Sequence, residues 1–133
     1  MPLFAWLLPQ GAWADNSGLD EAFVGDKQYY VLRSSADWDK FRQLVIDAEG
    51  KTAVNAIMDA DFSISTGVGS LASDVGIATF PYVGTFNGNG HTLTVSISGT
   101  GYSMAPFNTV ADGTTIKNLR VVGSVKGGQY AIF

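Results

Sequence analysis

The sequence predicts a mainly β protein, a β-solenoid segment with one N-terminal capping helix. Only 15% of the 133 residues are charged and 16 are glycine, a composition that favours strands and tight corners over a helical bundle. Ten of the 12 acids lie in residues 15–61, whereas 12 of the glycines lie in residues 62–133. Two similar strand patterns recur in that second region, with Leu93 and Leu119 26 residues apart, a separation typical of structural repeats.

The N-terminal residues 1–14 are apolar and too few to span a bilayer. Ala12-Trp13-Ala14 has the small-x-small form of an export cleavage site, and the polar residues 15–18 follow at once. No Lys or Arg precedes Lys27, so the basic n-region is missing, and a buried strand or an apolar arm is the alternative. We expect residues 1–14 to be the remnant of a signal peptide, and the protein to be secreted or displayed at the cell surface.

The next segment, residues 15–64, is predicted to be an αβ capping region. Tyr29–Leu32 is rich in aromatic and β-branched residues, which indicates a strand. Ser34-Ser35 offers an N-cap for a helix over residues 37–49, and Gly50 suits a left-handed stop. Its apolar residues recur at helical spacing, so this face is expected to pack on the core and to cover the open end of the solenoid.

Residues 65–133 are predicted to form the solenoid rungs. At the end of the capping region, short strands are expected on both sides of an acidic bend, at residues 54–58 and 62–64. Residues 65–82 are predicted to form a loop insertion. Residues 115–125 form the next strand system, interrupted at Asn118, and another strand begins at Tyr130. The chain ends on apolar residues, which a fragment, a partner that covers the end or an edge that folds back on itself would each explain. We favour a fragment, with further solenoid repeats or a cap beyond Phe133.

The stretch Gly84–Ile97 joins an Asn/Gly corner to a strand. Asn87-Gly88 and Asn89-Gly90 tolerate positive φ and so permit a sharp change of direction. The apolar residues at 93, 95 and 97 alternate with polar ones, as in a half-buried strand. Because the segment before the corner is short and the matching strand comes 26 residues later, a solenoid corner is favoured over a hairpin.

The polar side of this strand carries a row of hydroxyl groups at Thr92, Thr94, Ser96 and Ser98. A flat hydroxyl array of the kind that ice-binding solenoids use would need several such rows. We expect neither Thr115 nor Ser124 to continue this one, so the array is not favoured.

These residues resemble a known family of bacterial surface proteins. The run Gly84-Thr85-Phe86-Asn87-Gly88-Asn89-Gly90-His91-Thr92-Leu93 resembles the G-T-F-D-G-N-G-H-T-I signature that precedes GLUG-type repeats, with Asn87 in place of the usual acid. Residues 115–125 resemble the family's T-I-K-N-L-x-V-x-G-x-V segment through Ile116, Asn118, Leu119 and Gly123. Met58–Ile64 is similar to the entry strand, and Asp37-Trp38 with Phe41 to the opening helix.

This resemblance covers about residues 35–133 and implies a right-handed parallel β-helix in an exported, adhesin-like protein. The family's Gly-Leu-Val-Gly continuation is replaced here by Ala131-Ile132-Phe133. No catalytic residues come with the family pattern. The resemblance therefore implies structural roles for the motif residues.

The chain offers few groups for catalysis or metal binding. His91 is the only histidine and there is no cysteine, so no metal site can rest on paired imidazoles or thiolates. We interpret His91 as a corner residue whose ring bonds to the adjacent turn. Asp59 and Asp61 would share one face of an extended segment at about 7 Å, a spacing that overlaps that of inverting glycosidases. Solvated or turn-bonding carboxylates are the favoured interpretation.

The expected function is therefore non-catalytic: an exported β-solenoid segment used for adhesion, for display or as a stalk. No cofactor and no metal are expected, and the partner would be a host or extracellular glycan or protein. The net charge of −4 gives no nucleic-acid footprint. The alternative is the N-terminal part of a carbohydrate-active parallel β-helix, a polysaccharide lyase or glycosidase, that acts through Asp59 and Asp61.

Overall fold

The computed structural model describes residues 17–69, 80–99, 103–127 and 130–131. Within these ranges the chain is mainly β with one helix, as predicted. The predicted signal segment, residues 1–14, lies outside the described residues, as do residues 70–79 of the predicted loop. In the described part of the chain no helix is long and apolar enough to cross a membrane.

The described chain begins with an antiparallel hairpin and a helix. β1 (Asp20–Val24) turns at Gly25, whose φ is 63°, and pairs with β2 (Lys27–Leu32). Part of β2 agrees with the strand predicted at Tyr29–Leu32, whereas β1 was not predicted, because the acids Asp20 and Glu21 mask its short apolar pattern. The elements that follow are α1 (Ser35–Ala48), β3 (Ala56–Met58) and β4 (Phe62–Ile64).

The remaining strands are short and come in sets. Their bounds are β5 (Thr85–Asn87), β6 (Thr92–Ser98), β7 (Ser103–Met104), β8 (Thr115–Lys117), β9 (Arg120–Lys126) and β10 (Tyr130–Ala131). A five-stranded sheet has the order β1-β2-β3-β5-β8, a three-stranded sheet the order β4-β6-β9, and β7 pairs with β10. Every pairing except β1 with β2 is parallel.

The chain crosses from the five-stranded to the three-stranded sheet three times, and each crossing is here called a pass. The first pass is β3 and β4, the second is β5 and β6, and the third is β8 and β9. Because β5 and β6 belong to different sheets, the Asn/Gly stretch between them is a corner and not a hairpin, as predicted. Successive passes are linked by parallel pairing at both sheets, which stacks their corners on one another.

The register between the second and third passes corrects the predicted repeat. Leu93 lies beside Val121 and not beside Leu119, so the true separation is 28 residues. Between the paired positions Asn87↔Lys117 and Thr92↔Arg120, the second pass has residues 88–91 whereas the third has only residues 118 and 119. Because the third corner is two residues shorter, the separation of paired residues falls from 30 in the five-stranded sheet to 28 in the three-stranded sheet. A shift of two residues keeps the apolar side chains on the same face of the strand.

Helix α1 matches its prediction. The Ser34 hydroxyl accepts a hydrogen bond from Asp37 N at 3.2 Å, which identifies Ser34 as the N-cap. The helix ends in left-handed residues, with φ of 53° at Glu49 and 70° at Gly50. Trp38 Nε1 donates to Thr66 O at 2.9 Å, so the helix is tied to the segment that follows β4, the edge strand of the three-stranded sheet.

The main core lies between the helix and the inner faces of the passes. Its centre is a group of aromatic rings with centroids 5.1 to 6.3 Å apart: Trp38, Phe41, Phe62, Tyr82, Phe86 and Phe107. Leu93, Val95 and Ile97 of β6 are buried in the same core, while Thr94, Ser96 and Ser98 are exposed, as the alternation predicted. A second, smaller cluster of buried residues comprises Ala22, Tyr29, Val31 and Ile57.

Candidate functional site

The corners between the sheets carry most of the polar residues that the sequence singled out. Asn87 is only 4% exposed, and its Oδ1 accepts from Asn89 N at 2.9 Å and from Asn118 Nδ2 at 3.2 Å. Asn89 Nδ2 in turn donates to Met58 O at 3.1 Å. The asparagine side chains therefore connect the corner of the second pass to the passes on both sides of it.

Backbone contacts reinforce the same corner. Gly88 N donates to Lys117 O at 2.8 Å and Gly90 N to Asn118 O at 2.9 Å. Asn89 and Asn118 both have φ of 56°, the left-handed region that asparagine tolerates better than most residues. Glycine at position 88 is required by space, because an added Cβ would lie 2.6 Å from the backbone of the third pass.

The histidine of the motif bonds to the first pass. His91 Nδ1 lies 3.0 Å from Asp61 Oδ1, and the same carboxylate oxygen accepts from Thr92 N at 2.9 Å. The hydrogen bond from Thr92 N, followed by that from His91, holds the pKa of Asp61 below its ordinary value. The predicted role of His91 agrees with this geometry, since its ring bonds to the adjacent turn.

Asp59 and Asp61, the candidate catalytic pair, have separate partners. Residues 59–61 form a bend between β3 and β4 rather than an extended segment, so strand alternation does not place the two carboxylates on one face. Asp59 Oδ2 accepts from Arg33 Nε at 3.1 Å, and Arg33 also binds Asp20 at 2.6 Å. A glycosidase acid needs a raised pKa, whereas the pKa of Asp61 is lowered.

The remaining motif residues shape the passes. Gly84 has φ of 142°, and an added Cβ would lie 2.4 Å from Val54 O, so only glycine allows this approach of the two backbones. Phe86 and Leu93 are fully buried in the core. Gly123 has φ of 120° and its α-carbon faces the backbone of Val95.

Ile116 and Leu119 lie on the third pass, where the core has no further layer among the described residues. Ile116 is 41% exposed and Leu119 half-buried. They line an open groove of about 410 Å³ together with Phe107, Val110 and Val121. The uncovered hydrophobic surface of the described chain is therefore concentrated at this end of the stack.

The outer face of the three-stranded sheet corrects one expectation. Ser96 lies directly beside Ser124, and Ser63 beside Thr94, and all four side chains are exposed. Contrary to the expectation, Ser124 therefore extends the hydroxyl row of β6 onto β9, because paired residues are 28 positions apart and not 26. Val122 beside Thr94 interrupts the pattern, so the hydroxyl groups do not form a complete array.

Sequence reasoning missed two polar groups that join the strands of the larger sheet. Asn55 Oδ1 accepts from Thr85 N at 2.9 Å, and Asn55 Nδ2 donates to Gln28 O at 3.2 Å. Arg33 bridges Asp20 and Asp59. The signal in the sequence is that Asn55 and Arg33 each lie directly beside a strand. Their hydrogen-bond partners are 13 to 30 residues away along the chain, so a local pattern does not identify them.

The polar groups of these corners are engaged with one another rather than turned toward a common centre. Among the described residues, no group of three or more His, Asp or Glu side chains could hold a metal ion. The corner groups can hold one pass to the next, and the outward-facing side chains of the strands can present a surface to solvent.

Comparisons with protein-family models, with curated proteins and with solved structures find no match to this chain.

Proposed function

We propose that this chain is a β-solenoid segment, a right-handed parallel β-helix, of an exported bacterial surface protein of the GLUG-repeat type. In this proposal each pass is a rung, and the segment serves adhesion, display or the formation of a stalk. Its partner is a host or extracellular glycan or protein. Residues 1–14 act as the export signal, residues 15–64 form the capping region together with the first rung, and residues 65–133 supply the later rungs.

The bonds between corners are the observation that carries the proposal. Asn87, Asn89, Asn118 and His91 are the most distinctive residues of the motif, and each bonds to a neighbouring pass. Polar residues that served catalysis would be expected to converge on a cleft. Residues that hold a stack together would instead bond along it, which is the arrangement found at this corner.

The parallel pairing of successive passes also supports the proposal. Parallel strands in globular α/β proteins are usually connected by helices, but here β3, β5 and β8 are parallel neighbours joined through short strands of a second sheet. A stack of this kind gives an extended surface without a deep active-site cleft.

A cross-link tests the rung stack. Ser96 and Ser124 are exposed, parallel neighbours in a chain with no cysteine, so Ser96→Cys combined with Ser124→Cys creates one defined thiol pair. We expect rapid disulfide formation under mild oxidation, detected by a mobility shift and by mass spectrometry. The matched control is Ser96→Cys with Lys126→Cys. Lys126 lies beside Ser98, two residues farther along the strand, so these thiols are farther apart and should react much more slowly. Equal rates would contradict the stack.

Binding and activity assays test the role of the stack. The full 133-residue chain should bind members of a glycan and extracellular-matrix protein array, and Asp59→Asn with Asp61→Asn should leave that binding unchanged. The unsubstituted chain should release no products from acidic polysaccharides. Cleavage that the double variant abolishes would favour the carbohydrate-active alternative and sink the proposal of a non-catalytic segment.

A further inference from the structure

Both Asn-Gly pairs of the chain lie in the corner of the second pass, in different surroundings. Asn87 belongs to β5, is 4% exposed and precedes Gly88, which is also buried. Asn89 is half-buried and precedes Gly90, which is exposed. Glycine after an asparagine favours deamidation, because it has no side chain to hinder the attack of its own nitrogen on the asparagine amide. The surroundings therefore decide which of the two pairs can react.

Asn89 and Gly90 form the tip of a tight turn. His91 N donates to Gly88 O at 2.9 Å, and the two residues between them have φ of 56° and 78°, the positive values of a type I′ turn. An added Cβ at Gly90 would meet nothing within 4 Å. The same two residues line an open cavity of about 620 Å³. Water can therefore reach this peptide bond, and the backbone around it has room to rearrange.

The nitrogens of the two glycines are held in regions of different stability. Gly90 N donates to Asn118 O at 2.9 Å, at the exposed tip of the turn. Gly88 N donates to Lys117 O at 2.8 Å, directly after β5, which pairs with β3 and β8. Release of Gly88 N would therefore disturb buried strands, whereas release of Gly90 N opens one turn. Openings of exposed turns require less free energy than openings of buried strands.

We infer that Asn89 is a site of spontaneous deamidation in the folded protein and that Asn87 is protected. Gly90 N gives its proton to a solvent base and attacks Asn89 Cγ. The bond from Cγ to the side-chain nitrogen breaks, and ammonia leaves with a proton taken from solvent. Water then opens the resulting five-membered imide at one of its two carbonyl carbons, which yields aspartate or isoaspartate at position 89.

This modification removes a link between the first and second passes. Asn89 acts as a donor, since its Nδ2 donates to Met58 O at 3.1 Å. A carboxylate has no proton to donate and places its negative charge beside that carbonyl oxygen. Asn87 acts through the acceptor Oδ1, which an aspartate retains. Conversion at position 89 therefore weakens the corner, whereas conversion at position 87 would preserve its hydrogen bonds.

A time course of deamidation tests the site. The full chain is kept at mildly alkaline pH, once folded and once in urea, and mass spectrometry with peptide fragmentation measures aspartate and isoaspartate at positions 87 and 89. In the folded chain we expect position 89 to convert at least about fivefold faster, the factor that one additional hydrogen bond at position 87 supplies. In urea the two positions should convert at similar rates, because glycine follows both.

Three results of this time course would overturn the inference. The first is similar conversion at both positions of the folded chain, or faster conversion at position 87. The second is a position 89 that converts in urea but stays unchanged in the folded chain. The third is a product without isoaspartate, because opening of the imide by water yields both isomers and direct hydrolysis of the side chain yields aspartate alone.

Variants with the aspartate product already in place test the consequence. Asn89→Asp should raise the equilibrium constant of unfolding at least about tenfold, because Met58 O loses its donor. Asn87→Asp is the matched control and should raise it less than about fivefold. Urea denaturation measures both. Equal effects would contradict the donor role of Asn89. The Ser96–Ser124 cross-link tests the stack separately, so the two proposals can fail independently.

Discussion

Single glycines decide how closely two passes can approach. At Gly88 the limit is space, because the backbone of Asn118 and Leu119 occupies the position that a Cβ would take. At Gly90 an added Cβ would meet nothing within 4 Å, and the limit is the left-handed φ of 78°. The two residues stand in the same corner for different physical reasons, which makes them a matched pair.

Alanine substitutions should separate these two reasons. Gly88→Ala should lower the free energy of unfolding by about 2–3 kcal/mol, since the backbones must move apart. Gly90→Ala should cost only about 1 kcal/mol, the price of a left-handed alanine. Urea denaturation of both variants at neutral pH measures the difference. Equal losses would show that the third pass does not lie as close to Gly88 as the structure places it.

At the scale of the element, a single hydrogen-bond acceptor helps to hold the corner between β5 and β6 together. Asn87 Oδ1 receives the hydrogen bonds from Asn89 N and Asn118 Nδ2, and the side chain is almost completely buried. A carboxylate at this position offers the same acceptor. This gives a physical account of how an asparagine can stand where the resembling GLUG-type signature has an acid.

Substitutions at position 87 should therefore depend on the acceptor and not on the amide. Asn87→Ala leaves the two donors without their partner and should cost about 2 kcal/mol. Asn87→Asp keeps the acceptor and should stay within about 1 kcal/mol of the parent chain, since hydrogen bonds to a charged acceptor offset its burial. Thermal and urea unfolding of the two variants provide the measurement. A larger loss for aspartate than for alanine would refute the acceptor role.

At the scale of the whole molecule, burial decreases from the helix toward the third pass. β6 pairs on both sides, with β4 and β9, and its inward residues are 0 to 3% exposed. β9 pairs on one side, and its inward residues Val121 and Val125 are only half-buried. Strands with fewer buried contacts open with a lower free energy.

Amide hydrogen exchange should follow this gradient. We expect peptides from residues 92–98 to exchange most slowly and those from residues 120–126 to exchange much faster at neutral pH. Uniform protection of both strands would contradict this gradient of burial between β6 and β9.

The limits of sequence reasoning are visible in particular residues. The hydroxyl of Ser34, the helical spacing of Trp38 and Phe41, and the alternation from Leu93 to Ile97 each depend on neighbours close in the chain, and each prediction is confirmed. β1 was missed because its acids hide a pattern of only five residues. The partner of Leu93 was misassigned because corner length, rather than alternation, decides the register.

The sequence by itself determined the mainly β character, the helix, the corner at Asn87–Gly90 and the inward and outward faces of β6, since these depend on local backbone preference and periodicity. Only the tertiary structure decided that Leu93 lies beside Val121, that Asp59 and Asp61 turn to separate partners, and that Ile116 is exposed although Phe86 beside it is buried. Those facts depend on contacts between residues about 30 positions apart, which no local pattern encodes.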